Sequence, residues 1–441
     1  MLSGNIWRNM LILAIPLSAS GVRQQSFNSV DIAVVGRFAG HKALAAVGSN
    51  GSVISLIVNL FVGLSVGANV VLANYIGRKN DDGVRRTVAT TGALALVSGF
   101  LLLVISQVVA APLLRALGTP DDVLDEATLY LRIYSLGMPF MMIYNFGSAL
   151  LRSYGDTKRP FYALVAGGIV NVILNLIFVI YFGMGVSGVA IGTVIANVVS
   201  ATIIFNVMRR EEDPLGLKPR AMKFEKGELS KILRIGVPAG VQGMVFSLSN
   251  VFIQSAINSY GTDAMAGSAA ALNFESYSYF VIVAFAQSVV AFTGQNFGAG
   301  NLHRCRKILW VGMALSVVSS GLIDLLVVIF DHQSVSIFTS EAGVMDYALV
   351  RIHMVLAFQF IACSYEIAGA SLRGQGYSLT PTLITIGGTC VLRLGWVFML
   401  RGTDASFAKL LFIYPVTWVV TGIAMLCVRA IITHKLEKQL A

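Results

Sequence analysis

The chain is poor in charge, and that scarcity alone excludes most soluble folds. Of its 441 residues, 12% are Asp, Glu, Lys or Arg, 56% are hydrophobic, and mean hydropathy is +0.76. A soluble domain carries about 25% charged residues, so this is the composition of a polytopic helical membrane protein. Cysteine is scarce too. Cys305, Cys363, Cys390 and Cys427 lie in or beside apolar segments without metal-ligand spacing, which argues against a disulfide framework and for reduced, mostly buried thiols. The five histidines are scattered, so no metal site is expected. No HExxH motif and no Walker A loop occurs, which removes zinc-peptidase and nucleotide-driven chemistry. The reading is of a non-enzyme without cofactor, whose energy must come from an ion gradient. A cleavable signal peptide is not expected, because the first apolar segment is too long and runs on past Ser18-Ala19-Ser20.

What the chain has in abundance is long apolar runs. They fall at 10–36, 51–75, 87–111, 124–149, 160–182 and 188–208, then at 232–258, 272–297, 306–330, 343–369, 380–400 and 407–430. Each is long enough to cross a bilayer as a helix, which predicts an all-α membrane protein with twelve transmembrane helices. The longest polar interruption, from Arg209 to Arg234, carries Pro214 and Pro219. It predicts an N-terminal six-helix lobe over 1–208, a cytoplasmic linker over 209–231 and a C-terminal six-helix lobe over 232–441. The halves repeat. A shift of 221 residues sets LRSYGDTKRP (151–160) on LRGQGYSLTP (372–381) and pairs Ala43 with Ala264, Gly77 with Gly298 and Asn80 with Asn301; a shift of 222 sets Pro16 on Pro238. An even number of helices per copy gives both halves one orientation. The lobes are therefore expected to be parallel, pseudo-symmetric copies around a central cavity.

The net charge of +10 is a topology signal. With the N-terminus inside, 23 of the 32 basic residues fall on the inner side, five on the outer side and four within apolar segments. The excess places both termini and the linker in the cytoplasm, in an inner or plasma membrane, and it removes the need for a nucleic-acid partner.

Against this background Asp31 stands out. A carboxylate at mid-membrane costs about 2.5–3.5 kcal/mol on insertion scales, so it usually faces a cavity and carries function. Helical spacing puts Asn28, Phe27, Gln24 and Gly21 on its face. Desolvation favours the neutral carboxyl, which makes Asp31 a candidate proton carrier. A plain packing role, paired with Arg23 or Asn28, is the alternative. Pro16, fifteen residues earlier, removes a backbone hydrogen bond and is a candidate hinge. In the fifth apolar segment Asn171 and Asn175 share a face, as do Thr193 and Asn197 in the sixth. If these segments converge with the first, Asp31, Asn171, Asn175 and Thr193 form one polar cluster. Three more acids lie in apolar runs: Glu275 near Tyr277, Glu366, and Asp324, which could pair with Arg393 or Arg351. Glu275, Glu366 and Tyr277 are secondary site candidates.

At these residues the chain resembles the multidrug and toxic compound extrusion (MATE) family. The opening SVDIAVVGR followed by ALAAVG at 43–48, and the paired LRSYGDTKRP and LRGQGYSLTP loops, are similar to that family's signatures over about residues 8–430. The resemblance implies an antiporter that exports cationic or amphipathic compounds in exchange for H⁺ or Na⁺. It further implies that Asp31 is the first-helix aspartate protonated in a DinF-like branch, that Pro16 is where that helix bends, and that Asn171 and Thr193 belong to the same site. Asn175 stands where some members carry a second aspartate, and Phe27 where some carry tyrosine. The seventh apolar segment lacks the glutamate of the sodium-coupled NorM-like branch, which favours protons. A monomer acting on small molecules in the bilayer is expected. The alternative within the wider superfamily is a lipid-linked oligosaccharide flippase, for which Arg23 and Arg393 are the hints of a cationic cavity.

Overall fold

The computed structural model describes residues 1–403 and 405–440, with the side chains of Asn28, Ile32, Ala33, His41, Gln439 and Leu440 outside the description. Among the described residues the secondary structure is helical, without strands. The helices are α1 (Ile6–Phe38), α2 (Gly40–Gly77), α3 (Asp81–Ala116), α4 (Asp121–Ser135), α5 (Met138–Tyr154), α6 (Lys158–Leu176) and α7 (Gly185–Arg210). After a short 3-10 turn come α8 (Lys226–Asn258), α9 (Thr262–Gly298), α10 (Leu302–Ile329), α11 (Asp331–Ser336) and α12 (Ala342–Met354). The chain ends with α13 (Cys363–Gly374), α14 (Leu379–Thr385), α15 (Leu392–Leu400), α16 (Phe407–Leu411) and α17 (Ile413–Leu440). Ten of the described helical stretches are long and apolar enough to cross a membrane.

Among the apolar segments that the sequence presents as continuous, the fourth and the tenth are broken at matching places. The segment 124–149 divides into α4 and α5 at Leu136-Gly137, because Pro139 supplies no N–H at the start of α5. The segment 343–369 divides into α12 and α13 through a 3-10 turn, Leu356–Ala362. The breaks fall at equivalent places in the two repeats, so each repeat stacks two short helices where hydropathy shows one run.

The chain forms two compact units: Met1–Ser18 with Val245–Ala441, and Ala19–Met244. The polar stretch 209–231 belongs to the second of these. It folds back on α3, where the Glu225 N–H donates to Thr90 Oγ1 at 3.2 Å and Arg85 pairs with Asp213. The hydrogen bond from Arg85 holds the Asp213 carboxyl below the usual carboxylate range. Beside it Glu228, only 4% exposed, accepts a hydrogen bond from Tyr75 Oη at 2.9 Å and pairs with Lys231 at 3.3 Å.

Inside the Ala19–Met244 unit, the first half of α8 lies directly on α2. A Cβ added at Gly63 would collide with the backbone of Gly240, one at Gly67 with the backbone of Ile232, and one at Gly236 with that of Leu64. The helices meet backbone to backbone, as small residues allow in a membrane. The letters Gly63-Leu64-Ser65-Val66-Gly67 fit the GxSxG pattern of hydrolases, but they lie in mid-helix, with Ser65 Oγ donating to the Val62 carbonyl at 2.7 Å. A nucleophile elbow needs a strand-to-helix turn, so this serine is no nucleophile. Gly63→Val is expected to abolish folding of this seam, since no flexible side chain can yield. The check is the yield of monodisperse protein on size exclusion, with Gly51→Val, which meets open space, as the matched control.

In the other unit the first 18 residues are held by Arg304, whose Nη2 donates to the Gly4 carbonyl at 2.9 Å, and by Met10, which is fully buried against α10 at Gly312.

Candidate functional site

Within the Ala19–Met244 unit, α6 and α7 pack closely because small residues line their seam. A Cβ at Gly167 would strike Ser200, and one at Gly188 would strike Phe178. This approach turns the asparagines of α6 towards α7 and α1. Asn175, fully buried, donates from Nδ2 to Asp31 Oδ1 at 2.5 Å. The same nitrogen lies 3.4 Å from Asn171 Oδ1, and Asn171 Nδ2 donates to Thr193 Oγ1 at 3.3 Å. Thr193 Oγ1 in turn donates to the Val189 carbonyl at 3.0 Å. One chain of hydrogen bonds thus runs from α1 through α6 to α7. Asp31, Asn171, Asn175 and Thr193 come together, the convergence that the sequence left conditional.

Other candidates sit elsewhere. Gln24 is exposed, and Asn28 lies outside the described side chains. Arg23 is directed to Phe161, its guanidinium 5.7 Å from the ring centroid, and among the described residues no base forms an ion pair with Asp31. Phe27 packs on Gly168, where any Cβ would enter its ring. Pro16 lies inside α1, which runs unbroken from Ile6 to Phe38 and passes from one compact unit to the other at Ser18.

Sequence reasoning missed two neighbours. Tyr130 and Tyr134 of α4, stacked at 5.9 Å, both lie within electrostatic reach of Asp31. The signal was present as two tyrosines one helical turn apart, but in a segment taken as ordinary core.

Asn175 Oδ1 is buried without a hydrogen-bond partner among the described residues and points at Gly192, which has no room for a Cβ there. The amide can therefore serve both forms of the carboxyl. Its NH₂ donates to the carboxylate, and after a rotation its oxygen accepts from the protonated acid. Gly192→Ala is expected to displace the Asn175 amide and lower transport several-fold while leaving the protein folded. Initial rates at matched protein density check this.

In the Met1–Ser18 and Val245–Ala441 unit the secondary candidates have other partners. Glu275 forms a two-pronged ion pair with Arg351, Oε1 to Nε at 2.6 Å and Oε2 to Nη2 at 3.0 Å. Its backbone carbonyl accepts from Gln359 Nε2 at 2.7 Å. Tyr279 Oη donates to Glu366 Oε1 at 3.2 Å. Tyr279, not Tyr277, lines the cavity beside Glu275. Asp324 is buried near Ser278 and pairs with neither guanidinium, since Arg351 is taken by Glu275 and Arg393 lies among aromatic rings. The four cysteines are free, and no metal-binding cluster occurs among the described residues.

With this geometry in hand, a family model described as MatE matches residues 16–177 and again 238–399. The "Probable multidrug resistance protein YoeA" of Bacillus subtilis (strain 168) is 30% identical over 390 residues, 87% of this chain and 84% of that protein. The "Probable multidrug resistance protein NorM" of Thermotoga maritima is 26% identical over 407 residues, 90% of this chain and 86% of that one. A solved structure described as "Outward-facing conformation of a multidrug resistance MATE family transporter of the MOP superfamily" superposes with a TM-score of 0.89 at 23% identity, covering 99% of this chain and 98% of that chain. That likeness is one of fold: twelve membrane helices in two lobes.

Proposed function

We propose, on the premise that this chain belongs to the MatE family, that it is a secondary antiporter exporting cationic or amphipathic compounds in exchange for protons. The transporter is an integral membrane protein, and its relatives carry the names of multidrug resistance proteins. The observation that carries the proton reading is the Asn175–Asp31 hydrogen bond. It supports a carboxyl kept inside a span without a basic partner among the described residues, held by an amide suited to either protonation state. Deprotonated, Asp31 attracts a cation. Protonated from outside, it loses that attraction and releases the substrate. Pro16 gives α1 a place to bend as the two states exchange. The excess of Lys and Arg on one side supports cytoplasmic termini, in keeping with an inner or plasma membrane.

The test is ethidium transport by proteoliposomes of the full chain, with a pH gradient in sodium-free buffer and, separately, a sodium gradient at equal pH. Transport driven by the pH gradient alone is expected. Transport driven by sodium alone would replace the proton with sodium at Asp31. Transport under neither gradient would overturn the antiport reading and bring the flippase alternative forward.

A further inference from the structure

We infer that the C-terminal unit carries a binding site for an organic anion, a carboxylate, sulfonate or phosphate on an aromatic or apolar body, built around Arg393. The site lies outside the Asp31 cluster and does not rest on the antiport reading.

A cavity of about 290 Å³ opens in this unit, lined among others by Phe246, Glu275, Arg351, Arg393, Tyr414 and Trp418. Arg393 is 2% exposed. Its guanidinium carbon lies 4.2 Å from the Tyr414 centroid and 5.8 Å from those of Phe246 and Trp418, and Nε donates to Thr417 Oγ1 at 3.1 Å. Rings and hydroxyl fix the guanidinium in place. Its charge, however, is not balanced. Among the described residues no carboxylate pairs with Arg393, and its buried Nη2 has no hydrogen-bond partner. The other guanidinium in the wall shows what balance looks like, since Arg351 is matched by Glu275 on both prongs. A buried, unmatched charge is costly, and the group that offsets it is an anion. The planar fork of arginine fits the oxygens of carboxylate, sulfonate or phosphate, and the aromatic walls suit a flat apolar body.

The internal repeat supports this independently. The shift of 222 that carries the first family match, 16–177, onto the second, 238–399, carries Asn171 onto Arg393. It carries Asp31 onto Ile253, which also lines the cavity. The C-terminal cavity therefore occupies the position in its repeat that the acidic cluster occupies in its own. The sign of its charge is reversed: the acid has become isoleucine and the amide arginine.

The experiment uses Trp418 as reporter in the full chain carrying Trp7→Phe, Trp310→Phe and Trp396→Phe, purified in neutral detergent without any gradient. Quenching is titrated with para-nitrobenzenesulfonate, with neutral nitrobenzene and with the para-nitrophenyl trimethylammonium cation. The anion is expected to bind about tenfold or more tightly than its neutral counterpart, as a charge-assisted pair implies. Arg393→Gln is expected to erase that preference and Arg393→Lys to keep part of it. Equal binding of anion and neutral probe by the native-Arg393 protein overturns the proposal even if no variant folds, and so does a preference that survives Arg393→Gln. Phosphatidylglycerol added to the micelles separates two sources of the same chemistry. Displacement of the sulfonate assigns the site to a lipid phosphate, and persistence assigns it to a soluble organic anion. Failure here leaves proton-driven ethidium transport untouched, so the two readings fall separately.

Discussion

Asp31→Asn is expected to reduce pH-driven export to the level of protein-free liposomes, while ethidium binding persists in weakened form. The substitution keeps the size and the hydrogen-bonding oxygen that Asn175 addresses at 2.5 Å, so packing around α1, α6 and α7 changes little. What it removes is the exchangeable proton and the charge. A neutral amide cannot alternate between a form that attracts a cation and one that releases it, so the gradient has nothing to act on. Asn175→Ala has a smaller expected effect, because the carboxyl still titrates without its positioning amide. The measurement is initial ethidium flux under an imposed pH step, at matched protein density and with thermal unfolding confirming the fold. Full coupled export by Asp31→Asn would remove Asp31 from the mechanism.

Glu275→Gln is expected to destabilise the protein by about 3–5 kcal/mol, because it strands the Arg351 guanidinium, 2% exposed, without a counter-charge. Arg351→Met has a similar expected cost, since it leaves the carboxylate alone. The double variant Glu275→Gln with Arg351→Met recovers most of the loss, because a neutral pair needs no compensation. This pattern, read from thermal unfolding of the purified chain, separates a structural pair from a coupling site. A coupling carboxylate would give the opposite result, with Glu275→Gln folded at native stability and transport lost.

The contrast between Asp31 and Glu275 shows how far the sequence could be read. Both are acids in apolar runs and look alike as letters. Helical spacing put Asn171 and Asn175 on one face and Thr193 and Asn197 on another, and marked Asp31 as a buried acid, but whether the three segments converge is decided by packing that spacing does not carry. Glu275 and Arg351 are 76 residues apart, and no periodicity connects them. The pairing is decided by how α9 packs on α12, which hydropathy does not encode. The same limit applies to the broken segments, where a run of apolar residues reads alike whether one helix or two short ones fill it. Tyr130 and Tyr134 were legible as a pair but not as neighbours of Asp31. The repeat was visible as letters, yet the change from the neutral Asn171 to the cationic Arg393 acquires meaning only once each is seen against its own unit's walls.

The exchange of segments between the compact units has a consequence in time. Ala19–Met244 is one unbroken stretch and can close soon after it leaves the ribosome. The other unit begins with Met1–Ser18 and is completed only by Val245–Ala441. Met10, fully buried against Gly312 in the finished protein, has no partner while the whole of the intervening stretch is being made. At about 5–20 residues per second that interval is on the order of tens of seconds. During synthesis the first 18 residues are therefore an apolar segment in waiting, sheltered by lipid or by the insertion machinery. The emergence of α10 determines when Met10 finds its place.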